Sequence, residues 1–247
     1  MSKGKDMYDN EIIFENYKQL RDNPISTNLL EEKPALMSLC PDLHGKSVID
    51  LGCGNGENCI TFSKMGAVRV LGIDISDRML DIANANNKLD NISYMFLDMN
   101  HIDLLNEKYD VAFSSLSVHY IKDFKKLLHN INHILNSDGC FIFSQEHPLS
   151  TAPISGVHWT RDDKLNILHY DLTDYRRDGE RIISWIVDGV IKYHRCFSEI
   201  VNLIIEEGFA IDRMLEPVPA KELIERLPYF EKSMHKPNYL VIKAHKL

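Results

Sequence analysis

The sequence predicts an α/β protein built around one doubly wound sheet of mostly parallel strands. Three observations support this class. Seven short runs rich in β-branched and aromatic residues are spread along the chain, segments with helical apolar spacing alternate with them, and 247 residues suit one sizeable core with an elaboration. Strands that alternate with helices pair in parallel through right-handed crossovers. Ligands are therefore expected in the crevice beyond the carboxyl ends of the strands.

The elements are assigned in chain order from their apolar pattern and their capping residues. Helices are predicted at 57–65, after the N-caps Ser76 and Ser198, and from Asp123 onward. The predicted strands are 47–51, 68–73, 92–97, 109–114, 140–144, 210–215 and 239–245. Several polar residues fall at or near strand ends: Asp50, Asp74, Asp98 and Ser114.

One single domain is predicted over residues 1–247, with an N-terminal cap at 1–44. From about 147 to 195 the regular alternation lapses into a polar stretch interleaved with aromatic residues. Long irregular segments in compact domains are usually functional lids. We therefore expect a lid inserted at about 147–195.

Composition excludes several classes of function. The formal net charge of -8 argues against an electrostatic nucleic-acid surface. No apolar run has the length of a membrane span or the form of a signal peptide, so we expect a soluble cytoplasmic protein with no membrane partner. The five cysteines are odd in number and form no Cys-x-x-Cys pair, which predicts reduced thiols and no metal site. His129 and His133 are four residues apart on a helix and could in principle bind a metal. They share the polar side of that helix, so we expect them to be solvated.

A glycine-rich loop, DLGCGNG, follows the first strand at Asp50–Gly56. Glycines let the backbone approach a ligand closely. The dinucleotide fingerprint G-x-G-x-x-G does not fit, because the third glycine comes one residue early and Glu57 would repel a pyrophosphate. S-Adenosylmethionine carries a sulfonium cation and no phosphate, so it tolerates this acidic flank. Asp74 is placed to accept from both ribose hydroxyls, a contact that would also suit NAD.

Five segments in this order, VIDLGCGNG, LGIDIS, FLDMN, YDVAFSSLSVHYI and LNSDGCFIFS, resemble the class I S-adenosylmethionine-dependent methyltransferases, specifically the methyltransferase type 11 domain. The resemblance is strong over residues 17–144. It implies a Rossmann-like, mostly parallel seven-stranded sheet with an antiparallel C-terminal strand, and S-adenosylmethionine as cofactor with S-adenosylhomocysteine as product.

The resemblance also implies which residues bind the cofactor. Asp50 and the backbone of Gly52, Cys53 and Gly54 would hold the methionine moiety. Asp74, with Ile75 beside it, would hold the ribose. Asp98 would accept from the adenine amino group beside a backbone contact from Met99, and the Ser114 carbonyl would face the ammonium group. Tyr17 and Arg21 match an N-terminal helix that meets the cofactor carboxylate.

The expected reaction is methyl transfer by in-line displacement to a small-molecule acceptor that the sequence does not identify, in a monomer or a homodimer with no nucleic-acid partner. His147 and His194 are the candidate catalytic bases, because they flank the presumed substrate side. His119, which follows the fourth strand, is a further histidine that could deprotonate an acceptor. Two alternatives stay open. One is a non-catalytic S-adenosylmethionine-binding protein, and the other is an NAD-dependent reductase whose Tyr-x-x-x-Lys pair would be Tyr239 and Lys243.

Overall fold

Eleven strands and seven α-helices are present in the computed structural model, which describes residues 23–183 and 189–247. The strands are β1 (Ser47–Leu51), β2 (Arg69–Asp74), β3 (Ile92–Phe96), β4 (Tyr109–Ser114), β5 (Leu135–Glu146), β6 (Trp159–Arg161), β7 (Ile167–Tyr170), β8 (Gly179–Ile183), β9 (Val190–His194), β10 (Phe209–Leu215) and β11 (Tyr239–Lys246). The helices are α1 (Lys33–Ser38), α2 (Glu57–Lys64), α3 (Asp77–Asn86), α4 (Phe124–Ile134), α5 (Pro148–Thr151), α6 (Phe197–Glu206) and α7 (Lys221–Arg226). A π-helical turn at Asn28–Glu32 leads into α1, and 3₁₀ turns occupy Met99–Leu104, Val118–Tyr120 and Pro228–Met234.

The central sheet has the strand order β10-β11-β5-β4-β1-β2-β3. Strands β1 to β5 pair in parallel, with β1 between β2 and β4. The C-terminal strand β11 is antiparallel to both of its neighbours, β5 and β10. This arrangement confirms the predicted fold class. No helix in the described ranges combines the length and the apolar character needed to cross a membrane.

Apolar side chains from the two faces of the sheet form two core layers. Along β5, Phe141 and Phe143 enter one layer while Ile142 enters the other, because successive strand residues point to opposite faces. Helices α4 and α6 cover the first layer, and α2 covers the second with Phe62. The crevice at the carboxyl ends of the strands, where a ligand is expected, therefore lies on a sheet that is packed on both faces.

Three of the four predicted helix starts, at Glu57, Ser76 and Asp123, are confirmed, and the fourth is displaced. The Ser76 hydroxyl accepts from the backbone N–H of Met79 at 3.3 Å, and the Asp123 carboxylate caps α4. Helix α6 begins at Phe197 rather than after Ser198. The Tyr175 hydroxyl accepts the Phe197 backbone N–H at 3.0 Å, so a tyrosine from outside the helix satisfies its first turn.

The segment at 147–195 has more regular structure than the sequence indicated. It contains α5 and two antiparallel hairpins, β6–β7 and β8–β9. Their strands are only three to five residues long, too short to produce a clear alternating pattern. Strand β5 also begins at Leu135, five residues before the predicted start, because Leu135 already pairs with Tyr109 of β4.

The core can be tested with Phe143→Ala. Phe143 is fully buried and its ring is stacked 4.6 Å from that of Phe141. We expect the free energy of unfolding to fall by about 3 to 5 kcal/mol, because the substitution leaves a cavity in a core layer packed between the sheet and its covering helices. Leu104→Ala is the control: Leu104 is 69% exposed, and its change should stay within about 0.5 kcal/mol. If urea unfolding showed that both variants lose the same unfolding free energy, this packing would be contradicted.

Candidate functional site

The glycine-rich loop is fastened to the carboxyl end of β2. The backbone N–H groups of Gly52 and Cys53 both donate to the Ile73 carbonyl at 2.9 Å. Gly52 has a φ of +74°, and a Cβ there would lie 2.7 Å from the Ser117 Cβ. Only glycine therefore fits at this position, where the loops after β1 and β4 meet.

Asp74 stands at the end of β2 and faces this loop. Its carboxylate accepts from the Gly54 backbone N–H at 2.8 Å and from the Ser76 backbone N–H at 3.0 Å. These bonds fix the orientation of the carboxylate, whose two oxygens together offer about four acceptor sites. A diol is a suitable ligand for such an acceptor.

Asp98 follows β3 and caps the 3₁₀ turn at Met99–Leu104. Its Oδ1 accepts from the backbone N–H of Asn100 at 2.9 Å and from the Asn100 side-chain amide at 2.8 Å. Both bonds use the same oxygen, and among the described residues Oδ2 has no hydrogen-bond donor. That oxygen is suited to accept from an amino group.

A cavity of about 700 Å³ opens beyond the ends of β1, β2 and β4, and we call it the switch-point cavity. This is a typical size for a small-molecule site. Six of the predicted cofactor-binding residues line it: Gly52, Gly54, Asp74, Ile75, Asp98 and Met99. The structure thus brings together residues that are up to 47 positions apart in the chain.

Three other predicted cofactor residues, Asp50, Cys53 and Ser114, do not line this cavity. Asp50 is fully buried in β1 and accepts a hydrogen bond from the Cys59 thiol, while Cys53 is buried in the core layer behind the loop. Ser114 is also fully buried, and its hydroxyl donates to the Leu51 carbonyl at 2.9 Å. Tyr17 and Arg21 lie outside the described residues. The cofactor roles of all the predicted residues stay predictions.

The loop after β4 is part of the site, although its residues were not predicted. Leu116 lines the cavity with a φ of +52°, a conformation that is costly for a branched side chain. Its backbone N–H is shared between the Ser144 hydroxyl at 3.0 Å and the Ser144 carbonyl at 3.2 Å. The same end-of-strand rule that selected Ser114 would have found this loop if it had been extended by three residues.

A buried carboxylate from the N-terminal part of the chain supports this loop. Glu32 is fully buried, and it accepts from the Ser115 hydroxyl at 3.0 Å and from the hydroxyl of Ser144. Asn28, one turn earlier, donates to its other oxygen at 2.6 Å. Glu32 thus joins the π-helical turn to the ends of β4 and β5.

The β8–β9 hairpin separates the switch-point cavity from a second one. Glu180, Ile191 and Tyr193 line the switch-point cavity, the alternate residues Arg181 and Lys192 line the other, and Ile182 lines both. This division follows from the two-residue period of a strand. The second cavity has a volume of about 730 Å³, and we call it the basic cavity because its charged lining residues are Glu146, Arg181, Lys192, Lys232 and Lys236.

The two histidines predicted as bases line neither cavity. His147 bonds the Glu216 carboxylate through Nε2 at 2.9 Å, and its Nδ1 accepts from the Leu149 backbone N–H at 3.1 Å. His194 Nδ1 lies 2.8 Å from the Thr151 hydroxyl, and its Nε2 donates to the Tyr175 carbonyl at 2.9 Å. Burial lowers the pKa of both rings. Their catalytic role stays a prediction, while their contacts are those of structural histidines.

Two other groups of titratable residues adjoin the site. His119 is buried, its Nδ1 has no hydrogen-bond partner among the described residues, and burial lowers its pKa to about 3, so the ring is neutral. Asp178, His194 and Cys196 place potential metal ligands within 4.8 Å of one another. Because His194 Nε2 carries the proton that it donates to Tyr175, that nitrogen has no lone pair for a metal.

Comparison with known proteins places the chain among relatives of one kind. A family model described as a methyltransferase domain matches residues 42–215. A protein of Haemophilus influenzae without a characterised function is 38% identical over 248 residues, which covers 98% of this chain and 97% of the relative.

Solved structures agree with this placement. The S-adenosylmethionine-dependent methyltransferase of Mesorhizobium loti has a TM-score of 0.82 at 32% identity, covering 90% of this chain and 99% of that one. A Listeria monocytogenes protein provisionally assigned to the same class has a TM-score of 0.80 at 35% identity, covering 87% and 96%. Both sequence identities are high enough to indicate a shared family as well as a shared fold.

A pair of glycine variants tests how closely the loops approach each other. Gly45 and Gly52 have φ values of +73° and +74°, but a Cβ at Gly45 meets nothing within 4 Å. Gly45→Ala should therefore cost about 1 to 2 kcal/mol of unfolding free energy for the left-handed backbone alone. Gly52→Ala should cost more and should also lower the affinity for S-adenosylhomocysteine at least tenfold in calorimetric titration. Equal stability and unchanged affinity in both variants would contradict the close approach of Gly52 to Ser117.

Proposed function

The chain belongs to the class I S-adenosylmethionine-dependent methyltransferases, and from that premise we propose that it methylates a small molecule enclosed beneath the β8–β9 hairpin. The observation that carries this proposal is the hairpin itself. Its side chains alternate between two cavities, one lined by the glycine loop and the other by basic residues. A protein or nucleic-acid acceptor would need an open groove, whereas the hairpin favours an enclosed acceptor.

The residues of the switch-point cavity fit the cofactor on chemical grounds. Asp74 offers a fixed carboxylate to a ribose diol, and Asp98 offers an oxygen to an amino donor. Gly52 leaves room where a side chain would clash. The carboxylates around the loop favour a cation over a pyrophosphate. When bound, S-adenosylmethionine would supply an electrophilic methyl group: the acceptor would form a bond to the methyl carbon as the carbon–sulfur bond breaks, with S-adenosylhomocysteine as the leaving group.

The contribution of the protein to this step is mainly one of position. Tyr120, Ile121, Ile191 and Tyr193 line the switch-point cavity and give its wall large apolar surfaces on which an acceptor can pack. Holding two reactants close and aligned can supply about 7 to 11 kcal/mol of the barrier reduction. We therefore propose a reaction that needs no dedicated base. This agrees with His147 and His194, whose ring nitrogens are all bonded to protein groups.

The reductase alternative is disfavoured by the C-terminal strand. Tyr239 and Lys243 both lie on β11, not on a helix. At a rise of about 3.3 Å per residue, their backbones are roughly 13 Å apart, too far for the adjacent Tyr and Lys that such a reductase needs. The non-catalytic alternative is disfavoured because the comparable proteins are methyltransferases and because a cofactor sensor needs no second cavity.

Binding measurements test the cofactor assignment. Calorimetric titration of the wild type should show tight binding of S-adenosylmethionine and S-adenosylhomocysteine, and none of NADH. Asp74→Ala should weaken binding at least 100-fold, because it removes an acceptor for both ribose hydroxyls. Asp81→Ala, an exposed change on α3, is the control and should bind as the wild type does. Binding of NADH alone would contradict the assignment.

The acceptor class is tested by following the methyl group. With S-adenosylmethionine that carries a tritiated methyl group, the protein should label the small-molecule fraction of a bacterial extract. Asp74→Ala is the negative control and Asp81→Ala the positive one. Label recovered in the protein or RNA fraction instead would overturn the small-molecule part of the proposal.

A further inference from the structure

We infer that the basic cavity binds an oxyanion group of the methyl acceptor, a carboxylate or a phosphate, with Lys236 as its principal ligand. This inference rests on the proposed function, because it concerns the substrate of the same reaction. It identifies the acceptor as a small acid with an apolar ring.

Lys236 is a buried cation whose described partners are neutral. It is 6% exposed, and its Nζ donates to the Ser150 hydroxyl at 2.6 Å and to the Asn238 side-chain carbonyl at 3.2 Å. An ammonium group has three donors, so one N–H remains beyond these two described partners. In the described part of the chain no carboxylate lies within 4.0 Å of this nitrogen, and Glu146 and Glu31 act on it only from a longer distance. Burying a charge is costly, and an anionic ligand in contact with the ammonium would offset more of that cost.

The nearest carboxylates are already engaged elsewhere. Glu146 forms an ion pair with Lys192 inside the same cavity. Glu31 is buried and accepts from the Ser233 hydroxyl at 2.9 Å and from the Asn238 amide at 3.0 Å. The bond to Glu31 turns the Asn238 carbonyl oxygen toward Lys236 and so positions the ammonium.

The charge of the whole lining also favours an anion. With Lys236 protonated, four cations face one carboxylate, Glu146. The Arg181 guanidinium donates hydrogen bonds to backbone carbonyls, among them those of Ala152 at 2.9 Å and Arg177 at 2.6 Å. These bonds leave its charge in place, and Asp174 and Asp178 offset it in part. The excess of positive charge in the lining still favours an anionic ligand.

Aromatic residues beside Lys236 indicate the rest of the ligand. The Trp159 and Tyr170 ring centres lie 5.9 Å and 5.4 Å from the ammonium nitrogen. Trp159 lines the cavity together with Tyr229 and Val157. An apolar ring that carries the anion can pack on these walls. Ile182 lines both cavities, so such a molecule can reach from the basic cavity toward the methyl donor.

Binding of the anion should depend on pH. Burial lowers the pKa of Lys236 to about 8, with Glu146 and Glu31 raising it and Lys232 lowering it. Lys192 and Arg181 are the other charged groups in the lining. The protonated fraction of Lys236 falls from about 0.9 at pH 7 to about 0.1 at pH 9, so the affinity for an anion should fall about tenfold over that interval.

The test is calorimetric titration of the protein saturated with S-adenosylhomocysteine, using benzoate, phenyl phosphate and neutral benzamide as probes. At pH 7 we expect one or both anions to bind at least tenfold more tightly than benzamide, and the tighter anion identifies carboxylate or phosphate. Lys236→Met should abolish this preference and its pH dependence. Lys221→Met, the same change at an exposed position on α7, should keep both.

Two further readouts separate the possible outcomes. Lys236→Met should bind S-adenosylhomocysteine as the wild type does and unfold at no lower temperature, because it removes a buried charge whose described hydrogen-bond partners are neutral. A large fall in unfolding temperature, or equal anion binding in Lys236→Met and wild type, would show a structural lysine and overturn the inference. If none of the probes binds while the wild type does bind S-adenosylhomocysteine, this inference alone is overturned. If the wild type does not bind S-adenosylhomocysteine, the proposed function is overturned.

Discussion

The parallel pairing of β1 with β2 on one side and β4 on the other is the constraint on which the rest of the structure depends. Crossovers from this position leave in opposite directions, so the loops after β1 and β4 diverge and open a crevice. Where the two loops do touch, Gly52 and Ser117 leave no room for an added methyl group. The strained Leu116 is held there by Ser144 of β5, which ties a third strand to the same place.

Buried charges around this crevice divide into structural and functional ones. Glu32 has hydroxyl and amide donors that satisfy it, and it fastens the N-terminal turn to the ends of β4 and β5. Among the described residues Lys236 has neutral hydrogen-bond partners, and it lines a cavity. Residues that reduce stability without a compensating contact are expected at binding sites. The β8–β9 hairpin lines both cavities, so one short element shapes both the cofactor side and the acceptor side.

The sheet could be predicted from sequence because its strands are continuous apolar runs that end at Asp74, Asp98 or Ser114. The switch-point cavity could be predicted for the same reason, since its residues follow those ends directly. Glu32 and Lys236 could not. Their partners are distant in sequence, as Ser115 is 83 positions from Glu32, and a single charged residue in a polar stretch resembles a solvated one. The hairpins at 147–195 escaped because strands of three to five residues produce little periodicity.

We propose that the switch-point cavity holds the methyl donor, with the reactive sulfur beside the β8–β9 hairpin and open to the acceptor. A crystal structure of the complex with S-adenosylhomocysteine tests this placement. We expect electron density for the ribose hydroxyls against Asp74, for the adenine amino group against Asp98, and for the sulfur beside the hairpin. Density for the ligand in the basic cavity, or an adenosyl group that contacts neither carboxylate, would contradict it.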